Sequence, residues 1–255
     1  YSKFEVVIVN ENSTDDSEFV LHILKENYKN LTVVNLQENI NKFSSRKFAI
    51  SIGIKCAKYD VVLLTQARCI PKSFDWISNM VIPYKNKNKK IVIGYNGIEA
   101  KKGFLNQFIQ YDNATKFMNI FSYSLLGNQY SADSNNVAYS RDFFFKKQGF
   151  IEQYRKMCDE DEYFVNRYAV KKNTSIVLDK EAFTYTPIFS SYKSFRRNKM
   201  NRYITRKQYK KKDKFLLSLL PFSTLFFYLG ITFLLIILFP WQYCIIPIVL
   251  KWTCQ

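Results

Sequence analysis

Short apolar runs alternate with longer amphipathic stretches along most of the chain. The opening run Phe4-Glu5-Val6-Val7-Ile8-Val9 predicts a strand over residues 5–10. A turn follows, and Ser13, Thr14, Asp15 and Asp16 offer N-caps for a helix over 16–28. The same reading predicts a strand at 31–36, a helix at 46–57 and a buried strand, Val61-Val62-Leu63-Leu64, ending at Thr65. Beyond it come a strand at 91–95, a helix at 103–126, a short strand at Val137-Ala138-Tyr139, and helices at 141–148 and 159–169. The last opens on acidic side chains, which suit the positive end of a helix dipole. Such alternation marks an α/β fold. Ligands of open α/β sheets gather at the C-terminal ends of the strands, so the loop after Leu64 is the first place to look for chemistry.

The hydropathy changes character near the end. Residues 215–239 carry no charge for about 25 positions, enough to cross a hydrocarbon core of ~30 Å. A second apolar run starts after Pro240-Trp241 and reaches only Leu250, a short or cut-off second span. About half of residues 193–214 are Lys or Arg. By the positive-inside pattern this block places residues 1–214 in the cytoplasm, at an inner or plasma membrane, and its lysines are suited to anionic lipid headgroups. The expected organisation is a domain over 1–214 and a membrane segment over 215–255. Residue 1 is tyrosine, no signal peptide precedes it, and the chain is expected to be a fragment.

The 47% apolar and 23% charged residues describe a globular chain rather than a disordered one. Five scattered cysteines without C-x-x-C spacing, and a single His22, suit a reducing compartment and argue against structural zinc. A formal charge of +17 admits nucleic acid, a membrane surface or an anionic substrate as partner. Nucleic acid is disfavoured, because the densest basic block abuts the apolar span and no recognition motif is present. A nicotinamide dehydrogenase is disfavoured too, since no G-x-G-x-x-G follows the first strand.

The loop after Leu64 reads VVLLTQARCIP. It resembles the loop of the family 2 glycosyltransferases of the GT-A fold, roughly T-D-A-D-C, whose aspartates bind a divalent ion bridging a sugar-nucleotide diphosphate. Gln66 and Arg68 stand where those aspartates would be. An arginine about 4 Å from a divalent cation repels it by ~4 kcal/mol at an effective dielectric near 20. The family implies Mg or Mn; its ligands are substituted here, and no metal is expected at the usual place. A guanidinium can itself clamp phosphate oxygens, so Arg68 and Gln66 are candidate donor-binding residues.

The rest of the resemblance runs in order. EVVIVNENSTDDS, residues 5–17, is similar to the second strand and turn of the family and puts Glu11 at the nucleoside contact. The family's first strand would lie before Tyr1. RKFAISIGIKCAKYD, residues 46–60, resembles K-x-x-A-L-N-x-G-I-x-x-A-x-x-D, whose basic residue approaches the diphosphate, making Lys47 and Arg46 the candidates. YSADSNNVAYSRDFFFKKQGF, residues 130–150, resembles the acceptor-side loop, with Ser134 in place of a glycine, Asn136 matching, and Asp133 near a sugar hydroxyl. CDEDEYFVNR, residues 158–167, resembles the E-D motif, which makes Asp161 the base and Glu160 its neighbour. FRRNKMNRY, residues 195–203, lies where relatives have Q-x-x-R-W. There Asn198 replaces the glutamine, Lys199 matches and Arg202, one helical turn beyond Asn198, takes over the lost charge near acceptor or diphosphate.

The resemblance implies a GT-A domain, Rossmann-like, followed by one or more transmembrane helices. It implies an inverting glycosyltransferase moving a sugar from a nucleotide donor to a lipid-linked or polysaccharide acceptor, with membrane lipids as further partners. The competing reading is an inactive pseudo-transferase that binds or scaffolds. The substitutions at Gln66, Arg68, Asn198 and Asn201 favour it, and retention of Glu160 and Asp161 opposes it.

Overall fold

The computed structural model describes residues 1–11, 13–36, 45–87, 89–154, 156, 158–187 and 191–237. The chain divides into two units, Tyr1–Tyr209 and Lys210–Gln255. The first is a mixed α/β unit. Strand β1 (Val6–Asn10) and β2 (Leu31–Asn35) pair in parallel, which requires a crossover; helix α1 (Ser17–Asn27) supplies it. Helix α2 (Ser45–Cys56) packs on β1, with Ala49 and Ile54 buried. Gly53 allows the approach, because a Cβ there would stand 3.0 Å from Val9 Cγ2.

The central sheet has the order β3 (Val61–Leu64), β7 (Val137–Ser140), β5 (Ile91–Ile93), β8 (Thr174–Ile176). β7 runs antiparallel to both neighbours, while β5 and β8 are parallel. Every residue of β5, and Val137, Ala138 and Tyr139 of β7, is fully buried, which is why these runs are continuously apolar instead of alternating. A second small sheet, β4 (Ile70–Pro71), β9 (Thr184–Thr186), β6 (Asn96–Ile98), lies in the same unit.

Helix α3 (Trp76–Lys87) packs on the core cluster of Met80, Val92, Ala138, Val177 and Ala182. The pattern had not predicted α3, since Pro83 sits inside it and its last turns are Asn/Lys-rich. The two- and three-residue strands β4, β6, β8 and β9 were likewise unpredicted, being too short to show a period. Helix α4 (Phe104–Leu125), α5 (Arg141–Lys146) and α6 (Glu160–Tyr168) fall where the periodicity put them, and α7 (Tyr192–Arg206) follows β9. Phe144, Phe150 and Phe164 pack together with ring centroids 5.0–5.9 Å apart, and Tyr139 lies 5.2 Å from Phe164. Many of the chain's aromatics are thus spent fastening α5 and α6 to β7.

In the second unit, α8 (Lys211–Ile237) is long and apolar enough over Lys211–Phe233 to cross a membrane. It contains Pro221. The last residues of the expected first span and all of the second run lie outside the described residues.

Candidate functional site

The C-terminal end of β3 opens into a cleft of about 860 Å³, part of it open to solvent. The loop after β3 folds back through a 2.9 Å hydrogen bond from the Cys69 N–H to the Gln66 carbonyl, which sets Gln66 and Arg68 on the wall. Arg68 Nε donates to Gln66 Oε1 at 3.1 Å. Asn96, from β6, accepts from the hydroxyls of Thr184 and Thr186 on β9 at 3.0 and 2.9 Å through its single Oδ1. All three are buried. Their mutual satisfaction gives a stiff polar floor instead of a costly buried vacancy.

Four cations and four carboxylates line the cleft: Arg46, Arg68, Lys116 and Arg202 against Asp112, Asp133, Asp159 and Glu162. Most of the positive charge is committed. Lys116 Nζ lies 2.5 Å from Asp133 Oδ2; Arg202 stands 3.7 Å from Asp112, which also holds Lys199. Arg46 forms a close ion pair with Glu160, 2.6 Å, whose angle is not that of an aligned hydrogen bond. Among the described residues Arg68 has no carboxylate partner. It is the lining cation that an incoming anion meets without competition.

The acids at the start of α6 divide by environment. Asp159, the N-cap, faces the cleft, and its side chain makes no capping bond. Burial, then repulsion from Glu162 and Glu160, pushes its carboxyl up to about 6, against the attraction of Lys116 and Arg46. Glu162 also reaches the wall and accepts from the Tyr209 hydroxyl at 2.7 Å. Asp161 lies a layer behind, fully buried: one oxygen accepts from Tyr139 at 2.6 Å and the other has no aligned donor. Burial and the Glu160 charge raise its proton affinity well above the carboxylate range, while Tyr139 and the cleft-lining Ser134 partly oppose them. Burial would raise Asp133 too, but Lys116 and the Asn135 N–H outweigh it and hold that carboxyl low.

The residues expected from sequence separate accordingly. Gln66, Arg68, Asp133, Asn198 and Arg202 meet around the cleft. Glu11 is exposed at the end of β1 and not on the cleft wall. Lys47 is 2% exposed, and its ammonium donates to the carbonyls of Gln153 (3.1 Å) and Lys156 (2.6 Å). A buried ammonium needs such acceptors, so Lys47 ties α2 to the chain entering α6 instead of facing the cleft. Asn136 is fully buried; it accepts from Trp76 Nε1 at 3.0 Å and donates to the Tyr95 and Ala182 carbonyls, both 2.8 Å. Gly94 makes room for it, since a Cβ there would lie 2.5 Å from Asn136 Nδ2. Lys199 leans on Phe195 and pairs with Asp112. Asp112 and Lys116 were not expected at the site. Their i, i+4 spacing on a predicted helix was the available signal, and it identifies a shared face without saying what that face meets.

A divalent metal does not fit the loop after β3. Gln66 offers one neutral oxygen, already accepting from Arg68, and the guanidinium beside it repels a cation. Among the described residues no three His, Cys, Asp or Glu side chains stand together as a metal set.

A parallel pair, a mixed sheet with one antiparallel strand and a cleft at the end of β3 fit a GT-A-like fold. Residues 1–197 match the family described as Glycosyl transferase family 2, and the chain belongs to that family. Among solved structures it is similar to the mannosyltransferase PcManGT from Pyrobaculum calidifontis in complex with GDP-Man and Mn2+, at 16% identity and TM-score 0.54, covering 74% of this chain and 49% of that one. TarS 1-349 from S. aureus is 17% identical, with TM-score 0.49, covering 73% and 52%. The chain thus spans about half the length of these structures. No curated protein sequence matches it.

Proposed function

We propose that the cleft transfers a sugar, with inversion, from a nucleotide-diphosphate donor to a hydroxyl of a lipid-linked or polysaccharide acceptor at the cytoplasmic face of a membrane. The observation that carries this is the presence, in one cleft, of an arginine with no carboxylate partner among the described residues and a carboxylate of raised proton affinity, Arg68 and Asp159. In the reaction the acceptor oxygen bonds the sugar's anomeric carbon as the bond to phosphate breaks. The acceptor proton passes to the carboxylate, and the electron pair leaves with the nucleoside diphosphate. Arg68 meets that developing charge, with Arg202 alongside, through hydrogen bonds that strengthen as the charge grows. Both basic groups lie on the wall with Asn198.

Within the acidic start of α6 two carboxylates line the cleft, and we assign the base to Asp159, since Glu162 is already held by the Tyr209 hydroxyl. Asp161, expected from the motif, supports it from behind with Glu160. The wild type, Asp159→Asn and Asp161→Asn, each assayed for nucleoside diphosphate release and for nucleotide binding, test this. Loss of turnover of about a hundredfold or more with binding retained marks the base; if Asp161→Asn shows it and Asp159→Asn does not, the assignment moves to Asp161. Calorimetry with uridine and guanosine diphosphates, with and without manganese, tests the donor side. Binding that ignores manganese and weakens by roughly tenfold or more in Arg68→Ala supports an arginine clamp. No binding of either nucleotide favours the non-catalytic scaffold, for which the substituted loop is the supporting observation.

A further inference from the structure

Helix α7 has two faces of different character. Phe195, Asn198 and Arg202 line the cleft. The opposite side presents Tyr192, Arg196, Met200, Tyr203 and Lys207 at spacings of four or three residues, which places them on one stripe of a helix and its continuation. Lys193 and Arg197 flank it. All seven are exposed, and Tyr192, Met200 and Tyr203 are 60%, 51% and 58% accessible. The fifteen residues of α7 include no Asp or Glu, so nothing on the helix itself neutralises this stripe. Lys207 Nζ sits over the Tyr203 ring at 4.8 Å.

We propose that this outer face of α7 lies flat on an anionic bilayer surface, its basic side chains among the headgroups and Tyr192, Met200 and Tyr203 at the interface. The proposal rests on reading α8 as membrane-spanning. Charge complementarity is one argument, since cations interleaved with tyrosines suit the boundary between headgroups and acyl chains. Covalent continuity is another. Only residues 207–210 separate α7 from α8, and whatever the angle between the two units they extend no further than about 17 Å. With the outer face docked, the cleft lies one helix diameter, about 10 Å, from the headgroups, which favours an acceptor presented by the membrane over a soluble one.

The test is lysine acetylation footprinting of the full chain in bilayers of phosphatidylcholine alone and of phosphatidylcholine mixed with phosphatidylglycerol. Lys193 and Lys207 mark the two ends of a helix about 22 Å long. Lys55 and Lys180, exposed elsewhere, serve as references. Docking predicts that anionic lipid slows acetylation of Lys193 and Lys207 equally, by about fivefold relative to the references, and that high salt reverses it. The double variant Met200→Ala/Tyr203→Ala, which keeps every charge, should lose part of the protection. Protection of Lys207 without protection of Lys193 would mean that α7 stands off the surface and would overturn the flat docking, and no difference between the two lipids would overturn the proposal outright. Failure of the chain to co-float with either bilayer would instead overturn the membrane-spanning reading of α8, a separate result.

Discussion

Asp159 and Asp161 are two positions apart and titrate in different surroundings. Asp159 reaches the cleft with a carboxyl at about 6, so a base there is ionised only above that pH. The pH–rate profile should rise about tenfold per unit below pH 6 and level off above it. Stability should move the other way. The folded state binds this proton more tightly than the unfolded chain, whose carboxyl sits near 3.8, so stability present at low pH is lost as pH rises from about 4 through about 6. Asp159→Asn removes that loss without breaking a capping bond, and at pH 7 it should leave the fold more stable, by up to about 3 kcal/mol, while abolishing turnover. Thermal unfolding at pH 4 and pH 7 checks the sign. Asn136 makes the opposite case, for it satisfies one buried donor and two carbonyls. Asn136→Ala should destabilise the protein by ~3 kcal/mol, seen as a lowered denaturation midpoint.

Elements place charges that sequence spacing alone assigns to ligands. Lys47 resembles a phosphate-binding lysine by motif, yet α2 turns it inward onto the carbonyls of Gln153 and Lys156. Lys47→Met should therefore cost ~2–3 kcal/mol of stability by stranding those carbonyls, with nucleotide affinity little changed where the protein remains folded; a purely donor-binding lysine would give the reverse pattern in the same calorimetry. The position of Asp161 is set in the same way. β7 brings the Tyr139 hydroxyl to it, and Ser134, standing where the motif has glycine, lines the cleft beside it. Helix α4 contributes Asp112 and Lys116, which compete with any substrate for Arg202 and Asp133.

For the whole molecule, a compact α/β unit followed by one long apolar helix predicts a protein that behaves as integral to membranes. Cell fractionation should find it in the membrane pellet, resistant to high salt and released by detergent. Release by salt alone would mean that the basic residues, and not α8, hold it there.

The chain's own pattern determined the α/β class, most of the long helices, the buried central strands and the apolar helix near the end. Each follows from local periodicity: continuous β-branched runs become buried strands, and a long uncharged run has few other fates. The cleft loop was legible as well, because Gln66 and Arg68 sit directly after such a strand. What periodicity cannot encode is which side of an element meets the ligand and which meets the core. β7 is antiparallel because of its pairing with β3 and β5, not because of its own residues. Asn136 and Lys47 became core groups because buried donors and acceptors from distant segments required partners. The different surroundings of Asp159, Glu160, Asp161 and Glu162 were likewise decided by tertiary contacts with Tyr139, Arg46 and Tyr209. Four neighbouring carboxylates look alike in a sequence; burial and the charges around each one make them chemically different.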